Sequence, residues 1–374
     1  MPDLFKIGYD ARMIHHSGIG VRIQHLLKYL LRNNQNRFKF YLFGSKEKLK
    51  EFENIENVEI VEYRRPIYSL GEFFGHPKMR EMHILDIPHF NSPWKCLRKT
   101  IVTVHDLTPY ILKKYFPSPA KRFYLNIVFQ MLKKSGRIVG VSQHTLDDLK
   151  REFNFPEKKL QLIYNGLDRE VFYKREEKEI LKFKKNNDLP NEYLLAVGIG
   201  KEHKNLKFVI ESLKSSWLDG VFNIPLVIAG VGGKFPDYIK EVVKGVEKFV
   251  IPMKFIDYND LPLLYQGAIV LVYPSLYEGF GFPLIEAQAQ EVPVFSSNVS
   301  VMPEILGDSA VYFDPYKKDQ NFISKLKSII EDESLRNDLI EKGKKNIERF
   351  YWENAAKQTI ELYLSIKEEL NSSH

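Results

Sequence analysis

Two glutamates, Glu278 and Glu286, lie in the segment 275–286, SLYEGFGFPLIE, with seven residues between them. An ionised carboxylate offers several hydrogen-bond acceptor sites and no donor, which suits the vicinal hydroxyl groups of a sugar. We expect Glu278 to accept hydrogen bonds from sugar hydroxyls and Glu286 to accept them from a ribose. The pair therefore predicts a site for a sugar nucleotide.

The residues around this pair are suited to hold a phosphate. Residues 268–275, AIVLVYPS, form a short apolar run typical of a buried strand, and Pro283 suits the first position of a helix. Gly279 and Gly281 let the backbone pass close to a ligand, and the free N–H groups of the new helix favour an anion. We expect a donor-binding set made of Gly279, Phe280, Gly281, Phe282, Leu284 and Glu286.

The segment EGFGFPLIE resembles the paired-glutamate motif of the retaining glycosyltransferases of family 4, which have the two-domain GT-B fold. Weaker matches follow in the order of that family. They are SGIGVR (17–22), VTVHDLTP (102–109), VSQHTLDDL (141–149), YNGLDREVF (164–172), VGIGKEHKNL (197–206) and VMPEILGDSAVYFDP (301–315). Each match alone is weak, but their order and spacing together are specific. The competing interpretation is a pair of Rossmann-like domains whose glutamates only cap a helix and face solvent.

The resemblance implies roles for residues outside the glutamate segment. It places His105 beside the donor sugar, so His105 and Glu278 are the expected catalytic residues. It implies that Lys204 contacts the phosphates and that Gly18 and Gly20 belong to a loop against the diphosphate and the acceptor. The structural alternatives are a satisfied histidine at 105 and a solvated helix lysine at 204. By the same analogy, the base and ribose lie against residues 230–235 and the backbone of 256–258.

The chain departs from the family pattern near Lys204. Ile199 follows Gly198 where many members carry an arginine, and His203 precedes Lys204 where others have one. A second cation at the phosphates is therefore in doubt. Either Lys201 supplies it, or Lys204 acts with backbone N–H donors alone.

The sequence argues against two other kinds of site. GIGVRI ends in Ile23 where a dinucleotide fingerprint needs its third glycine, and no acidic residue closes a second strand at the right distance. We therefore reject NAD binding. No Asp-x-Asp triplet occurs, so the metal-bridged diphosphate of the other large glycosyltransferase class lacks its ligands. We expect no metal and no other cofactor, since the nucleotide sugar is a substrate.

Composition fits a two-domain globular protein in a reducing compartment. The chain has 374 residues, 44% hydrophobic and 28% charged, and its one cysteine, Cys96, excludes an internal disulfide. The N-terminus carries an acidic residue at position 3 and enters a strand at once, so we expect no signal or transit peptide. The most apolar stretch, 261–277, is interrupted by Gln266, Gly267 and Pro274, so it is not expected to span a membrane. These features predict a cytoplasmic location.

The net charge of +7 raises the question of an anionic partner. Nucleic acid is not expected, because no helix-turn-helix, finger or ribonucleoprotein signature is present. Segment 113–134 interleaves six Lys/Arg residues with aromatic and aliphatic ones. A helix from Pro119 would either belong to the core of the first domain or lie peripherally on the inner face of the cytoplasmic membrane.

Strand and helix patterns alternate along the chain, which is typical of an α/β fold with parallel sheets. Predicted strands cover 5–10, 38–44, 58–63, 100–106, 137–142 and 160–166 in the first half, and 193–198, 225–230, 253–257, 268–275 and 292–297 in the second. The charged segment 173–192 is predicted to hold the domain break. We expect a Rossmann-like acceptor-binding domain (1–182) and a Rossmann-like nucleotide-sugar-binding domain (183–351) facing each other across a cleft. The resemblance implies that a terminal helix, 352–374, packs back on the first domain.

The resemblance implies a retaining glycosyltransferase that moves a hexose from a GDP- or UDP-sugar, with mannose from GDP-mannose as the leading candidate. The expected acceptor is a growing glycan or a lipid-linked acceptor in polysaccharide or lipopolysaccharide biosynthesis. No carboxylate nucleophile precedes the glutamate pair, which suits a route in which the leaving phosphate takes the acceptor's proton. The alternatives are a GT-B phosphorylase or sugar-nucleotide epimerase, and a catalytically silent GT-B scaffold that binds a nucleotide.

Overall fold

The computed structural model describes residues 4–34, 37–198, 200–317 and 321–372. The chain divides into two compact units, which we call unit 1 (1–166 and 351–374) and unit 2 (167–350). Each unit is built around one parallel sheet with helices packed on it, so two Rossmann-like units of the α/β class are confirmed. Within the described residues, no helix combines the length and the apolar character needed to cross a membrane.

Unit 1 contains a seven-stranded parallel sheet. Its strands are β1 (Phe5–Asp10), β2 (Phe38–Gly44), β3 (Val58–Glu62), β4 (Ile84–Ile87), β5 (Thr100–Val104), β6 (Arg137–Gly140) and β7 (Leu160–Leu162). They are ordered β3-β2-β1-β4-β5-β6-β7. The helices are α1 (Ser17–Arg32), α2 (Thr108–Ile111), α3 (Pro119–Leu132), α4 (Gln143–Phe153) and a C-terminal helix (Trp352–Ser372). The reversal of strand order on either side of β1 places the carboxyl ends of β1 and β4 at a topological switch point, where open α/β sheets bind ligands.

Local sequence explains where the helices of unit 1 begin. Ser118 accepts a hydrogen bond from the backbone N–H of Lys121 at 3.2 Å and caps α3, with Pro119 as the first helical residue. Ser142 caps α4 in the same way through the N–H of Thr145. The inner face of α3 is core, because Leu125, Val128, Phe129 and Leu132 are buried in one cluster with β5 and β6.

Unit 2 contains a six-stranded parallel sheet of order β10-β9-β8-β11-β12-β13. The strands are β8 (Leu194–Val197), β9 (Leu226–Ala229), β10 (Val250–Pro252), β11 (Val270–Tyr273), β12 (Val294–Ser297) and β13 (Ala310–Phe313). The helices are α5 (Glu177–Asn186), α6 (Leu206–Leu218), α7 (Lys240–Val243), α8 (Leu261–Gln266), α9 (Phe282–Ala289), α10 (Met302–Leu306), α11 (Phe322–Glu331) and α12 (Glu333–Asn346).

Three strands differ from the sequence prediction. β4 and β13 were not predicted, and the strand predicted at 253–257 lies earlier, at Val250–Pro252, where it pairs with β9. β4 is short and carries Asp86, a charged residue that sequence patterns do not place in a central strand. The segment predicted as strand leaves Phe255 in solvent, because pairing with β9 ends at Pro252.

The chain passes between the units at 166/167 and at 350/351, whereas the sequence placed the first boundary after residue 182. The reason is α5, whose charged surface is typical of a linker but which packs against α8 of unit 2. At the two passages the backbone is tightly packed. The N–H of Leu167 donates to the carbonyl of Phe350 at 2.8 Å, and a Cβ on Gly166 would lie 2.3 Å from the nitrogen of Trp352.

The C-terminal helix packs on unit 1 against α1. The Trp352 ring stacks on His25 of α1, with 5.7 Å between ring centroids. Further along the helix, the Tyr363 hydroxyl donates to the Asp86 carboxylate at 2.6 Å. This contact satisfies the charged residue of β4 and connects the end of the chain to the centre of the first sheet.

Candidate functional site

The glutamate segment occupies the turn between the carboxyl end of β11 and α9 in unit 2. Gly281 precedes α9 with φ of 90°, and a Cβ there would lie 2.9 Å from Cδ1 of Leu284, so glycine is required on both counts. Phe282 and Pro283 are the first two residues of α9. The turn thus opens a helix N-terminus beside Gly279 and Gly281, as the sequence predicts.

Glu278 forms an ion pair with Lys204. The Lys204 Nζ lies 2.5 Å from Glu278 Oε1, and both side chains are largely buried, with 18% and 13% exposed. Ser275 Oγ donates to the same carboxylate oxygen at 2.5 Å. The backbone of Glu278 is held as well, because its N–H donates to Ser300 Oγ at 3.2 Å. Glu278 is therefore fixed in one orientation before any ligand binds.

The electrostatic environment keeps Glu278 ionised. Burial alone would raise the pKa of its carboxyl group, but the Lys204 charge and hydrogen bonds from Lys204, Ser275 and Tyr273 outweigh this and lower the pKa below its ordinary value. The site therefore presents a carboxylate and an ammonium group side by side. This arrangement can bind sugar hydroxyls and a phosphate together.

Lys204 reaches Glu278 because a short 3-10 turn, Glu202–Lys204, comes just before α6. Asn205, which links this turn to α6, adopts the left-handed conformation with φ of 58°. The carbonyl of His203 accepts a hydrogen bond from the N–H of Leu276 at 3.0 Å, which attaches the turn to the glutamate segment. Lys201 is exposed, and Ile199, at one of the two departures from the family pattern, lies outside the described residues.

Glu286 lies in α9 and is buried, with 8% of its surface exposed. The hydroxyl of Tyr265, from α8, donates to its Oε2 at 2.7 Å. Burial raises the pKa of Glu286 to about 7, although the hydrogen bond from Tyr265 acts in the opposite direction. Glu286 is therefore partly protonated near neutral pH, unlike Glu278, and nothing in the sequence pattern indicates Tyr265 as its partner.

The aromatic and aliphatic residues of the predicted donor-binding set support the turn. Leu284 is fully buried beneath Gly281, and Phe280 is buried between Phe282 and Phe350, with ring centroids at 5.3 and 5.6 Å. The Phe280 and Leu284 side chains thus take part in packing. Backbone groups of this turn remain the means by which it can contact a ligand.

An open pocket of about 850 Å³ lies where residues 230–235 follow β9. Gly233, Lys234, Phe235, Tyr238 and Pro252 line it. Gly233 has φ of 74°, and its N–H donates to the carbonyl of Met253 at 2.6 Å. Residues 233–235, the second half of one of the two segments that the family resemblance assigns to the base and ribose, line the pocket.

In unit 1, Gly18 and Gly20 lie in the first turn of α1. A Cβ on Gly20 would approach the carbonyl oxygen of Ile14 to 2.6 Å, so the close passage of α1 over the end of the preceding loop requires glycine. Gly18 is exposed. The two glycines therefore differ: Gly20 is needed by packing, and Gly18 is accessible to a ligand.

His105 directly follows β5, and its Nε2 lies 2.9 Å from the carbonyl oxygen of Pro88. Because a carbonyl can only accept, Nε2 carries the proton. Burial, together with the nearby charge of Arg22, lowers the pKa of His105 to about 3, so the ring is neutral at physiological pH. Its Nδ1 is then an acceptor, which can receive a sugar hydroxyl but cannot donate a proton.

The sequence did not indicate that Arg22 is buried. Its Nη1 donates to Asn165 Oδ1 at 2.7 Å and to the carbonyl of Ile163 at 3.3 Å. Arg22 belongs to the SGIGVR motif and Asn165 to YNGLDREVF, so two of the weaker family matches are joined by this contact. The positions of these motifs in sequence were visible, but their pairing was not.

A second buried polar network lies at the carboxyl end of β1. Arg12 contacts Asp10 at 2.6 Å and Glu72 at 2.8 Å, and His89 Nε2 lies 3.3 Å from the Asp10 carboxylate. Asn91 Nδ2 donates to the other oxygen of Glu72 at 2.7 Å. This network fixes the loop after β3, which carries Glu72, against the centre of the sheet.

The structure thus brings Lys204 and Glu278 into contact in unit 2 and places Glu286 one turn into the adjoining helix. Gly18, Gly20 and His105 lie in unit 1, at the carboxyl ends of β1 and β5. Among the residues described, no three His, Cys, Asp or Glu side chains form a group that could hold a metal ion.

Two protein-family profiles match the chain. The family described as glycosyl transferases group 1 matches residues 177–346, and the one described as glycosyltransferase family 4 matches residues 16–171. The first match lies within unit 2, and the second covers most of unit 1 and runs five residues into unit 2; together they cover most of the sequence.

Individual relatives and structures agree with these profiles. The chain is 28% identical to O-antigen chain mannosyltransferase B of Escherichia coli over 83% of this chain and 79% of that protein. It is 31% identical to O-antigen chain mannosyltransferase RfbU of Salmonella typhimurium over 59% of this chain and 58% of that protein. The structure of HepE from Anabaena in complex with UDP and glucose has a TM-score of 0.69 and 18% identity, over 96% of this chain and all of that one. The chain therefore belongs to the family 4, group 1 glycosyltransferases with the GT-B fold and is similar to mannosyltransferases of polysaccharide biosynthesis.

Proposed function

We propose that the protein is a retaining hexosyltransferase that transfers mannose from GDP-mannose to a growing glycan or lipid-linked acceptor. The observation that carries the proposal is the Lys204–Glu278 ion pair beside the glycine turn that opens α9. The names of the two O-antigen relatives support mannose and a glycan acceptor. The UDP and glucose bound by HepE support a nucleotide-sugar donor.

Each residue has a role that follows from its environment. Lys204 and the positive end of the α9 helix dipole neutralise the diphosphate, and Glu278 accepts hydrogen bonds from the hexose hydroxyls. Glu286 accepts them from the ribose. His105 offers its unprotonated Nδ1 to a donor-sugar hydroxyl.

Transfer breaks the bond between the anomeric carbon and the phosphate oxygen, and the electron pair stays on the phosphate. The acceptor oxygen bonds to the anomeric carbon on the same face, and its proton passes to the leaving phosphate. His105, neutral and with its Nε2–H engaged by Pro88, takes no part in proton transfer. Lys204 and the positive end of the α9 dipole stabilise the charge that develops on the leaving group.

A screen of nucleotide sugars tests this proposal directly. The free energy of ligand binding adds to folding stability, so a donor at a hundred times its Kd raises stability by roughly 2.7 kcal/mol. We expect GDP-mannose to give the largest thermal shift and then to be hydrolysed slowly without acceptor and consumed faster when a glycan acceptor is added. If no nucleotide sugar raised the melting temperature, the proposal would be contradicted. Donor turnover that does not depend on the acceptor would favour the epimerase alternative. Donor turnover that requires inorganic phosphate would favour the phosphorylase.

We predict full activity in the presence of a chelator. The helix N-terminus after Gly281 and the Lys204 ammonium group supply the positive charge that a metal would otherwise bring to the diphosphate. The measurement is transfer rate with and without EDTA. Activity lost on chelation and restored by Mg²⁺ or Mn²⁺ would show that the leaving-group chemistry is different.

We also predict that nucleotide binding releases protons near neutral pH. In the free protein the pKa of Glu286 is about 7, so at pH 7 about half of the molecules carry a proton there. Ribose hydroxyls donate to the ionised form, so affinity should rise with pH up to about 7 and level off above it. The raised pKa also means that folding stability, without ligand, falls as pH rises from the ordinary glutamate range to about 7.

Calorimetry in two buffers of different ionisation enthalpy measures the released protons. The release should vanish in Glu286→Gln and persist in a matched variant at an exposed glutamate of unit 2, Glu331→Gln. Proton uptake on nucleotide binding, or an unchanged proton release in Glu286→Gln, would contradict a contact between Glu286 and the ribose.

A further inference from the structure

A second pocket, of about 250 Å³, lies in unit 2 between α5, α8 and the C-terminal end of α9. Its walls include Ile180 of α5, Gln266 of α8, Ala289 of α9 and the two residues that follow α9, Gln290 and Glu291. We call it the α9 end pocket. The eight residues of α9 span roughly 12 Å, and the glycine turn lies at the other end of this helix. The pocket is therefore separate from the site proposed for the diphosphate.

A chain of amide hydrogen bonds fixes the orientation of Gln290 in this pocket. The backbone N–H of Arg175 can only donate, and it donates to Gln266 Oε1 at 3.0 Å, so the other end of the Gln266 amide is its donor. Gln266 Nε2 donates to the carbonyl of Tyr173 at 3.2 Å and to Oε1 of Gln290. Because the oxygen of the Gln290 amide is engaged in this way, the group that Gln290 has left to offer is its Nε2 donor.

Two buried N–H donors of the pocket, Gln290 Nε2 and Arg175 Nε, have no hydrogen-bond partner among the residues that the structure describes. Gln290 is only 4% exposed. The terminal nitrogens of Arg175 are engaged, since Nη2 donates to the carbonyl of Asn259 at 3.2 Å and Nη1 donates to the Tyr173 hydroxyl. A buried donor without an acceptor costs free energy, so both donors favour a ligand that brings hydrogen-bond acceptors.

The charged side chains that line the pocket balance one another. Lys174 and Arg175 carry positive charge, and Glu177 and Glu291 carry negative charge. Lys174 Nζ lies 3.5 Å from one oxygen of Glu291, whose other oxygen lies 3.2 Å from Lys344 Nζ. Glu177 is exposed at the start of α5. A phosphate or a carboxylate in the pocket would meet the Glu177 carboxylate, so a neutral ligand suits these charges better.

The remaining features suit a sugar ring. Ile180 and Ala289 offer apolar side chains to the C–H groups of such a ring. Its hydroxyl oxygens can accept from Gln290 Nε2 and Arg175 Nε, and the same hydroxyl groups can donate to Glu177. The volume lies below the roughly 300–1,000 Å³ that is usual for drug-sized ligands. A single sugar therefore matches the pocket better than a nucleotide sugar does.

We propose that the α9 end pocket binds one neutral sugar residue, held by Gln290, Arg175 and Glu177, at a site separate from that of transfer. Lys174 and Glu177 form an exposed rim, so a glycan can continue from the bound residue into solvent. The ligand can thus be a free sugar or one unit of a glycan, and both have the same chemistry at the two donors. The proposal rests on the proposed function in one respect, since the expected glycan makes mannose the first probe.

The side-chain amide of Gln290 reports on binding in nuclear magnetic resonance spectra. In the nitrogen-15-labelled protein, Gln290→Met removes one pair of side-chain amide signals and so assigns that pair. We expect methyl α-mannoside to shift these signals in the parent protein until they saturate. Methyl α-glucoside and methyl α-galactoside, titrated in parallel, identify the preferred sugar. A mannose trisaccharide that binds more tightly than the methyl mannoside would identify a glycan, and equal affinities would identify a free sugar.

Pocket variants test which groups hold the sugar. Ala289→Leu fills the pocket but keeps the hydrogen-bonding side chains, so it should abolish the shift of the Gln290 signals. Glu177→Ala should raise the Kd about tenfold or more, as expected for the loss of a hydrogen bond to a charged group. Ser215→Leu, at an exposed position of α6, is the matched control for the leucine change and should bind the sugar like the parent. Melting temperature checks that each variant is folded.

Three results would overturn the proposal: no shift of the Gln290 signals with any sugar, unchanged binding in Ala289→Leu, or a shift with inorganic phosphate but not with sugars. The first would leave water as the partner of the two donors, and the last would assign the pocket to an anion. Sugar binding here needs no nucleotide and no transfer. Its failure would therefore leave the transferase proposal standing, and failure of the donor screen would leave the sugar site standing.

Discussion

Glu278→Ala is expected to lower turnover of the sugar donor about ten- to a hundredfold without weakening the binding of the free nucleoside diphosphate. Glu286→Ala, in contrast, is expected to weaken the binding of that nucleotide by a similar factor. Losing a charge-assisted hydrogen bond costs roughly 1.5–3 kcal/mol, which corresponds to this range. The free nucleotide has a ribose but no hexose, so it should sense Glu286 alone. Removing Glu278 also leaves Lys204 without its ion-pair partner and free to meet the phosphates.

Calorimetry with the free nucleotide and donor hydrolysis rates together separate the two roles. Glu278→Gln keeps the shape of the side chain and removes its charge, so it tests whether turnover depends on the carboxylate. Glu331→Ala, at an exposed glutamate of the same unit, controls for a general effect of losing a carboxylate. If Glu278→Ala and Glu286→Ala weakened nucleotide binding equally, the assignment of Glu286 to the ribose and Glu278 to the hexose would be contradicted.

Lys204→Ala is expected to reduce affinity for the donor by at least tenfold, and added salt should reproduce part of the loss in the parent protein. A cation close to a phosphate contributes through its charge, and partly exposed charges are screened over about 10 Å at 0.1 M salt. The structure adds a second consequence. Lys204→Ala leaves the largely buried Glu278 carboxylate without its partner, so the variant should also lose folding stability.

A double-mutant cycle measures that coupling. Adding Glu278→Gln to Lys204→Ala should recover part of the lost stability, with a coupling energy of roughly 0.5–3 kcal/mol between contacting residues. Lys207→Ala, at an exposed lysine in the first turn of α6, is the matched control and should change neither binding nor stability. Donor affinity that is unchanged in Lys204→Ala would return this lysine to the role of a solvated helix residue.

The elements that position the site were predictable where the signal is local. Three features of the site lie within fifteen residues of one another: the apolar run that contains β11, the glycines of the turn, and Pro283 at the start of α9. Helix starts at Pro119 and Gln143 follow from Ser118 and Ser142, whose side chains cap the backbone beside them. Such features depend on dihedral preferences and on hydrogen bonds between near neighbours in the chain, so they can be predicted from the local sequence.

The errors in the fold come from residues whose local character opposes their place in the structure. Ile84–Ile87 was not predicted as a strand because Asp86 interrupts it. A carboxyl group is tolerated there because Tyr363, 277 residues away, donates to it and burial raises its pKa to about 6. The charged helix α5 looked like a linker because only its contact with α8 assigns it to unit 2.

The sequence by itself determined the α/β class and the glycine turn between Glu278 and Glu286, since these depend on residue type and short spacing. Only the tertiary structure decided that Lys204 neutralises Glu278, and that Tyr265 holds Glu286 in a site where its pKa reaches about 7. The physical reason is the same in each case: the cost of burying a charge is set by its neighbours, and these come from distant parts of the chain.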